Sequence, residues 1–102
     1  MPGTLWGLPL GPGGVPPRAG EELKIVWRMT GEGPLKVVVT APDGGKKPLT
    51  FGPEAHGASS YDRPGDEWGT GFRFTIPGCW HIRLIRSDNV GDVWLNVRPV
   101  NA

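Results

Sequence analysis

The sequence predicts an antiparallel β-sandwich of about seven short strands with no significant helix. Three observations carry that prediction. Apolar residues recur at every second position in several short runs, the spacing that places them on one face of a strand. Turn residues separate these runs at intervals of roughly eight to twelve positions. No stretch shows the three-and-four spacing of an amphipathic helix.

Of 102 residues, 17 are Gly and 12 are Pro, close to the proportion at which low-complexity disorder becomes the default. Five Trp, three Phe and several β-branched runs argue the other way, because only a packed core gives such residues a physical role. The length suits one domain with one modest core, too small for separate cofactor and substrate domains. Eleven basic and ten acidic residues give a formal charge of +1, and the basic side chains are dispersed, so nucleic acid is not an expected partner. Cys79 is the single cysteine, so no internal disulfide is expected. No run of about 18 apolar residues suggests a transmembrane segment. The first residues lack the basic start and apolar stretch of a secretory signal.

Residues 1–20 hold six Gly and five Pro, a density that forbids a helix and removes donors from a central sheet ladder. They read as an N-terminal arm or linker to a domain over residues 21–102, with Trp6 and Leu8 lying as an edge segment over its body. Leu23, Ile25, Trp27 and Met29 then alternate with Lys24, Val26 and Arg28 in a half-buried strand. Thr30 to Pro34 turns the chain. Leu35, Val37 and Val39 alternate with Lys36, Val38 and Thr40 in a second strand, expected to pair antiparallel with the first across so short a connection. Ala41 to Gly45 is a turn with a Pro and positive-φ glycines, and Lys47 to Phe51 a short strand. Residues 52–71 show no sustained period; they are either functional or conceal a short strand around Ser59 to Asp62. Phe72 and Phe74 face opposite to Arg73 and Thr75, and Pro77-Gly78 turns the chain. From Cys79 to Ile85, Trp80, Ile82 and Leu84 form one face and Cys79, His81 and Arg83 the other. Ser87 to Asp92 makes the next turn, with Asn89 and Gly91 supplying positive φ. Val93, Leu95 and Val97 alternate with Trp94, Asn96 and Arg98 in a last strand that Pro99 ends.

The segment from Phe72 to Leu84, FRFTIPGCWHIRL, resembles the penultimate hairpin of bacterial immunoglobulin-like domains, with Trp80 where a Tyr is usual. The stretch from Gly65 to Val97, with its GDEWGTGF, PGCW and GDVWL elements, is similar to small uncharacterised exported proteins and lipoproteins of Gram-positive bacteria. The likeness covers the C-terminal third and not the first twenty residues. It implies an immunoglobulin-like sandwich and an extracellular or cell-surface location, and no activity.

Several constellations could carry chemistry. Cys79 and His81 emerge on one face of a strand and, with His56, would make a copper or zinc ligand set. A copper-binding sandwich would also need a Met in the ligand loop, and only Met1 and Met29 exist; the plainer reading is a small packing Cys and a surface His. His56, Ser59, Ser60, Asp62, Asp66 and Glu67 are hydrolase residue types, yet no nucleophile-elbow spacing is present, and loops favour Ser, Asp and Gly for turn geometry alone. Adjacent Asp66 and Glu67 do not set a glycosidase separation. Asp88, Asn89 and Asp92 crowd one turn, and Asp62, Asp66 and Glu67 another, without the spacing of a calcium loop. Trp27 and Trp80 read as core. Trp94 faces opposite to Val93, Leu95 and Val97, and Trp68 sits among charges in the irregular segment. With His56 and Tyr61, these two form equipment for stacking on a sugar ring or gripping an extended peptide. Alternatively Trp68 plugs one end of the sandwich and the arm covers Trp94.

The expected function is a non-catalytic binding or structural module, with a protein or carbohydrate partner held by residues 52–71 through His56, Tyr61, Trp68 and Trp94, and with no cofactor. The alternatives are a metal-binding sandwich using Cys79, His81 and His56, and a protease-inhibitor-like domain, whose loop motifs are not found here.

Overall fold

Strands with one apolar face must cover that face, and here two sheets cover each other. The computed structural model describes residues 5–10, 17–56 and 66–100, leaving aside the side chains of Leu10 and His56. The described residues form eight strands: β1 (Leu5–Leu10), β2 (Glu22–Met29), β3 (Lys36–Thr40), β4 (Lys46–Lys47), β5 (Phe51–His56), β6 (Asp66–Arg73), β7 (Gly78–Arg86) and β8 (Asn89–Val97). They form two four-stranded antiparallel sheets, ordered β1-β2-β6-β5 and β4-β3-β7-β8. No helix occurs among the described residues. The predicted all-β sandwich is the observed architecture.

The first sheet contributes Leu23, Ile25, Trp27, Met29, Trp68 and Phe72 to the core, and the second contributes Val39, Trp80, Ile82, Leu84 and Val97. Trp80 is fully buried at the centre, edge-on to Phe74 with ring centroids 5.0 Å apart. Its indole N–H donates to the Ile76 carbonyl at 2.8 Å. The Trp27 indole N–H donates to the Thr70 hydroxyl, which in turn donates to the Ile25 carbonyl, each at 2.8 Å. Both indoles thus enter the core with their single donor satisfied, which removes a desolvation cost of about 1–3 kcal/mol each.

Three expectations are corrected. β2 and β3 do not pair: β3 lies beside β7, with Val39 opposite Ile82, so the turn at residues 30–34 carries the chain from one sheet to the other. Crossing lets the apolar faces of both strands meet across the core instead of lying side by side. Residues 52–71 are not irregular throughout, because β5 and β6 occupy most of them. β6 shows no alternation because it is a central strand buried on both faces from Glu67 to Phe72, with glycines at 69 and 71, and at Gly71 the side chains of Thr50 and Phe51 occupy the place a Cβ would take. The suggested strand at Ser59 to Asp62 lies outside the described residues. Finally, β8 begins at Asn89, because Ser87 (φ 54°) opens a two-residue turn between the paired Arg86 and Asn89.

The described residues among the first twenty, 5–10 and 17–20, touch both sheets. β1 pairs with β2 from Leu5 opposite Met29 to Leu10 opposite Lys24, which puts Trp6 and Leu8 on an edge strand. Beyond it, the Ala19 N–H donates to the Arg98 carbonyl and the Arg98 N–H to the Pro17 carbonyl, a parallel bridge past the end of β8.

Arg86 closes one end of the sandwich. Its guanidinium lies 4.5 Å from the centre of the Trp68 ring and donates to the carbonyls of Met29 at 2.6 Å and Gly33 at 2.9 Å. It also meets the Asp66 carboxylate at 2.5 Å. A buried cation is tolerable only when so paired.

Candidate functional site

Because Trp80, Ile82 and Leu84 point inward along β7, Cys79, His81 and Arg83 point out. The same alternation turns Asp92, Trp94 and Asn96 outward along β8. The β7–β8 register sets His81 opposite Trp94, Arg83 opposite Asp92 and Cys79 opposite Asn96. On the other side of β7, Thr40 stands opposite His81, and Lys46 opposite Thr40. A row of indole, imidazole, hydroxyl and ammonium therefore crosses the outer face of the second sheet.

Its centre is tied together. One Asp92 carboxylate oxygen, Oδ1, contacts His81 Nε2 at 2.6 Å and accepts from Arg83 Nε at 2.8 Å. These partners, Arg83 first and then His81, hold the Asp92 carboxyl below the usual carboxylate range, and Asp92 raises the Arg83 guanidinium in return. With one ring nitrogen so fixed, the imidazole stacks on Trp94, centroids 4.8 Å apart and planes 14° from parallel. Trp94 nevertheless remains 61% exposed. An exposed indole held by a stacked, hydrogen-bonded neighbour is a rigid contact surface with little side-chain entropy left to lose.

Beside this face, a cleft of about 310 Å³ opens between the two edge strands β1 and β8. Leu5, Pro9, Ile25, Trp27, Val93 and Leu95 line it. Gly7 also lines it, and the Trp27 ring packs so closely there that a Cβ would stand 2.7 Å from it.

The residues singled out in the sequence are not gathered at one place. Trp94 lies on the outer face just described. Trp68 lies in the core, 6% exposed beneath Arg86. His56 ends β5 in the first sheet, opposite Glu67, and the two sheets of a sandwich stand about 10 Å apart. Tyr61 falls outside the described residues, as do Ser59, Ser60 and Asp62. Cys79 is exposed and shares the outer face with His81, so the two emerge together as expected, but the His56 backbone belongs to the other sheet. Among the described residues, no group of three or more His, Cys, Asp or Glu could hold a metal ion. Of the crowded turn, Asp92 is engaged by His81 and Arg83, and the Asn89 amide donates to the Thr30 carbonyl at 2.9 Å. Glu67 faces Arg28 at 3.6 Å in a buried pair on the first sheet.

Sequence reasoning missed the His81–Asp92–Arg83 cluster. Once Ser87-Asp88 is read as a two-residue turn, counting back along both strands sets Arg83 opposite Asp92, so the signal was present in the hairpin register. No known protein family matches the chain, and no curated protein is similar to it.

Proposed function

We propose that this protein is a non-catalytic binding module of immunoglobulin-like topology that grips its partner through the outer face of β7 and β8. The observation that carries the reading is the exposed Trp94, stacked on His81 while Asp92 holds the imidazole from the other side. Aromatic side chains fixed in this way are the usual anchors of binding surfaces. Asn96, Arg83 and Thr40 around it offer hydrogen bonds to a carbohydrate or polypeptide. The topology is supported by the strand order, since β1-β2-β6-β5 and β3-β7-β8 follow the two-sheet order of immunoglobulin sandwiches, with β4 added beside β3. The resemblance of residues 65–97 to exported proteins supports a cell-surface location, which fractionation of the producing cells would test.

The face is tested by titrating a panel of soluble cell-wall oligosaccharides and extended peptides against the wild type, Trp94→Ala and His81→Ala. Binding that is lost in Trp94→Ala and weakened in His81→Ala supports the reading. Binding unchanged in both variants overturns it.

A further inference from the structure

The formal charge of +1 is spread unevenly over the two outer faces. On the first sheet, the outward strand residues Lys24, Arg28 and Arg73 are matched by Glu22, Glu54 and Glu67. On the second, Lys36, Lys46 and Arg83 stand against a single carboxylate, Asp92, which His81 and Arg83 already engage. Both lysines are exposed, and among the described residues neither has an ion-pair partner. The face that carries Trp94 is therefore the cationic one.

The register sets these groups at fixed spacings. Trp94 lies opposite His81, His81 opposite Thr40 and Thr40 opposite Lys46, so three strand spacings, about 14 Å, separate Trp94 from Lys46. Lys36 stands four residues before Thr40 on β3, about 13 Å along the strand. Cations so dispersed do not form the convergent nest of a phosphate site; they suit negative charges carried on separate units of a chain. One face of the indole is taken by the imidazole, and 61% exposure leaves the other open. The C–H bonds on the flat side of a sugar ring are weakly positive and are attracted to the negative face of an indole. Asn96, beside Trp94 on this face, and Thr40 supply partners for ring hydroxyls. A polypeptide suits the face less well. Its usual docking modes use an open strand edge or an apolar groove, whereas β3 and β7 are paired on both sides and the outward neighbours of Trp94 on β8, Asp92 and Asn96, are polar.

We infer that the ligand of this face is an acidic oligosaccharide with carboxylates on its sugar rings, one ring stacked on Trp94 and a carboxylate further along the chain held by Lys46. The inference rests on the outer face of β7 and β8 being the binding site, and adds the class of ligand. Exposed charge contacts are individually weak and screened by salt. The stacked ring is thus the anchor, and the lysines select acidic chains over neutral ones.

Calorimetric titration of the full chain with short glucuronate oligomers, with the same oligomers after reduction of their carboxyls to alcohols, and with polyglutamate tests this. The glucuronate oligomer is expected to bind most tightly, and added salt to bring its affinity down toward that of the reduced form. Trp94→Ala is expected to abolish binding of both sugars. Lys46→Ala is expected to weaken glucuronate binding roughly fivefold, the upper end for an exposed charge pair, and to leave the reduced oligomer unaffected. Lys24→Ala, on the other outer face, is expected to change neither; the thermal midpoint of each variant shows that it is folded. Equal affinity for the acidic and reduced oligomers, wild-type glucuronate binding in Lys46→Ala, tighter binding of polyglutamate, or no binding of either sugar overturns the inference. Equal affinities that are both lost in Trp94→Ala overturn the ligand class and uphold the site, whereas sugar binding that survives Trp94→Ala overturns both.

Discussion

Trp94 and Trp80 belong to adjacent paired strands and have opposite fates, because one-residue alternation sends one indole out and the other in. Replacing Trp80 by Ala should cost about 3–5 kcal/mol, the range for deleting a core Trp. Trp68→Ala should fall in the same range, since its ring is buried and roofed by Arg86. Trp94→Ala should change stability by no more than about 0.5 kcal/mol, as for most surface changes. Urea midpoints of the three variants check this ordering. Asp92 adds a pH signature. With its folded pKa lowered by Arg83 and His81, the pair's contribution is complete above the ordinary carboxylate value of about 3.9 and is lost as pH falls through the lowered value. Asp92→Asn should therefore show a shallower fall in thermal midpoint than the wild type over that acid window. An equal fall would mean that the pair contributes nothing.

At the scale of elements, the strands that could be read in the sequence are those whose large apolar residues recur at every second position. Leu23, Ile25, Trp27 and Met29 alternate toward the core although Val26 and Arg28 between them are buried as well, whereas Cys79 to Ile85 alternates because one side meets the other sheet and the other meets solvent or a polar neighbour. β6 could not be read, because both its faces are covered and Gly69 and Gly71 leave gaps in the pattern. That is also why Trp68 looked like a loop residue. The turn at residues 30–34 has the length of a hairpin and of a sheet crossing alike, so sequence could not choose between them. The end of β7 shows how one polar residue fixes an element. Arg86→Met keeps the bulk over Trp68 but leaves the Met29 and Gly33 carbonyls without their donor. A loss of roughly 1–3 kcal/mol per unsatisfied group is expected, read from chemical denaturation.

For the whole molecule, Trp27, Trp68 and Trp80 fill the core between the two sheets while Trp94 stands out on the outer face of the second. The exposed orientation of Trp94 was legible, because Val93, Leu95 and Val97 occupy the alternate positions. The imidazole and carboxylate that brace it were not, because they come from a register that only the folded hairpin fixes. His56 and Trp94, joined in the sequence reading by residue type alone, belong to different sheets. The central claim is that recognition belongs to the outer face of β7 and β8. Each Trp has one indole N–H, and its nitrogen-15 resonance reports that site separately. On titration with a ligand from the oligosaccharide and peptide panel, the Trp94 resonance should move most, while those of Trp27, Trp68 and Trp80 hold their positions. Binding that shifts the other indoles and leaves Trp94 still would contradict the account.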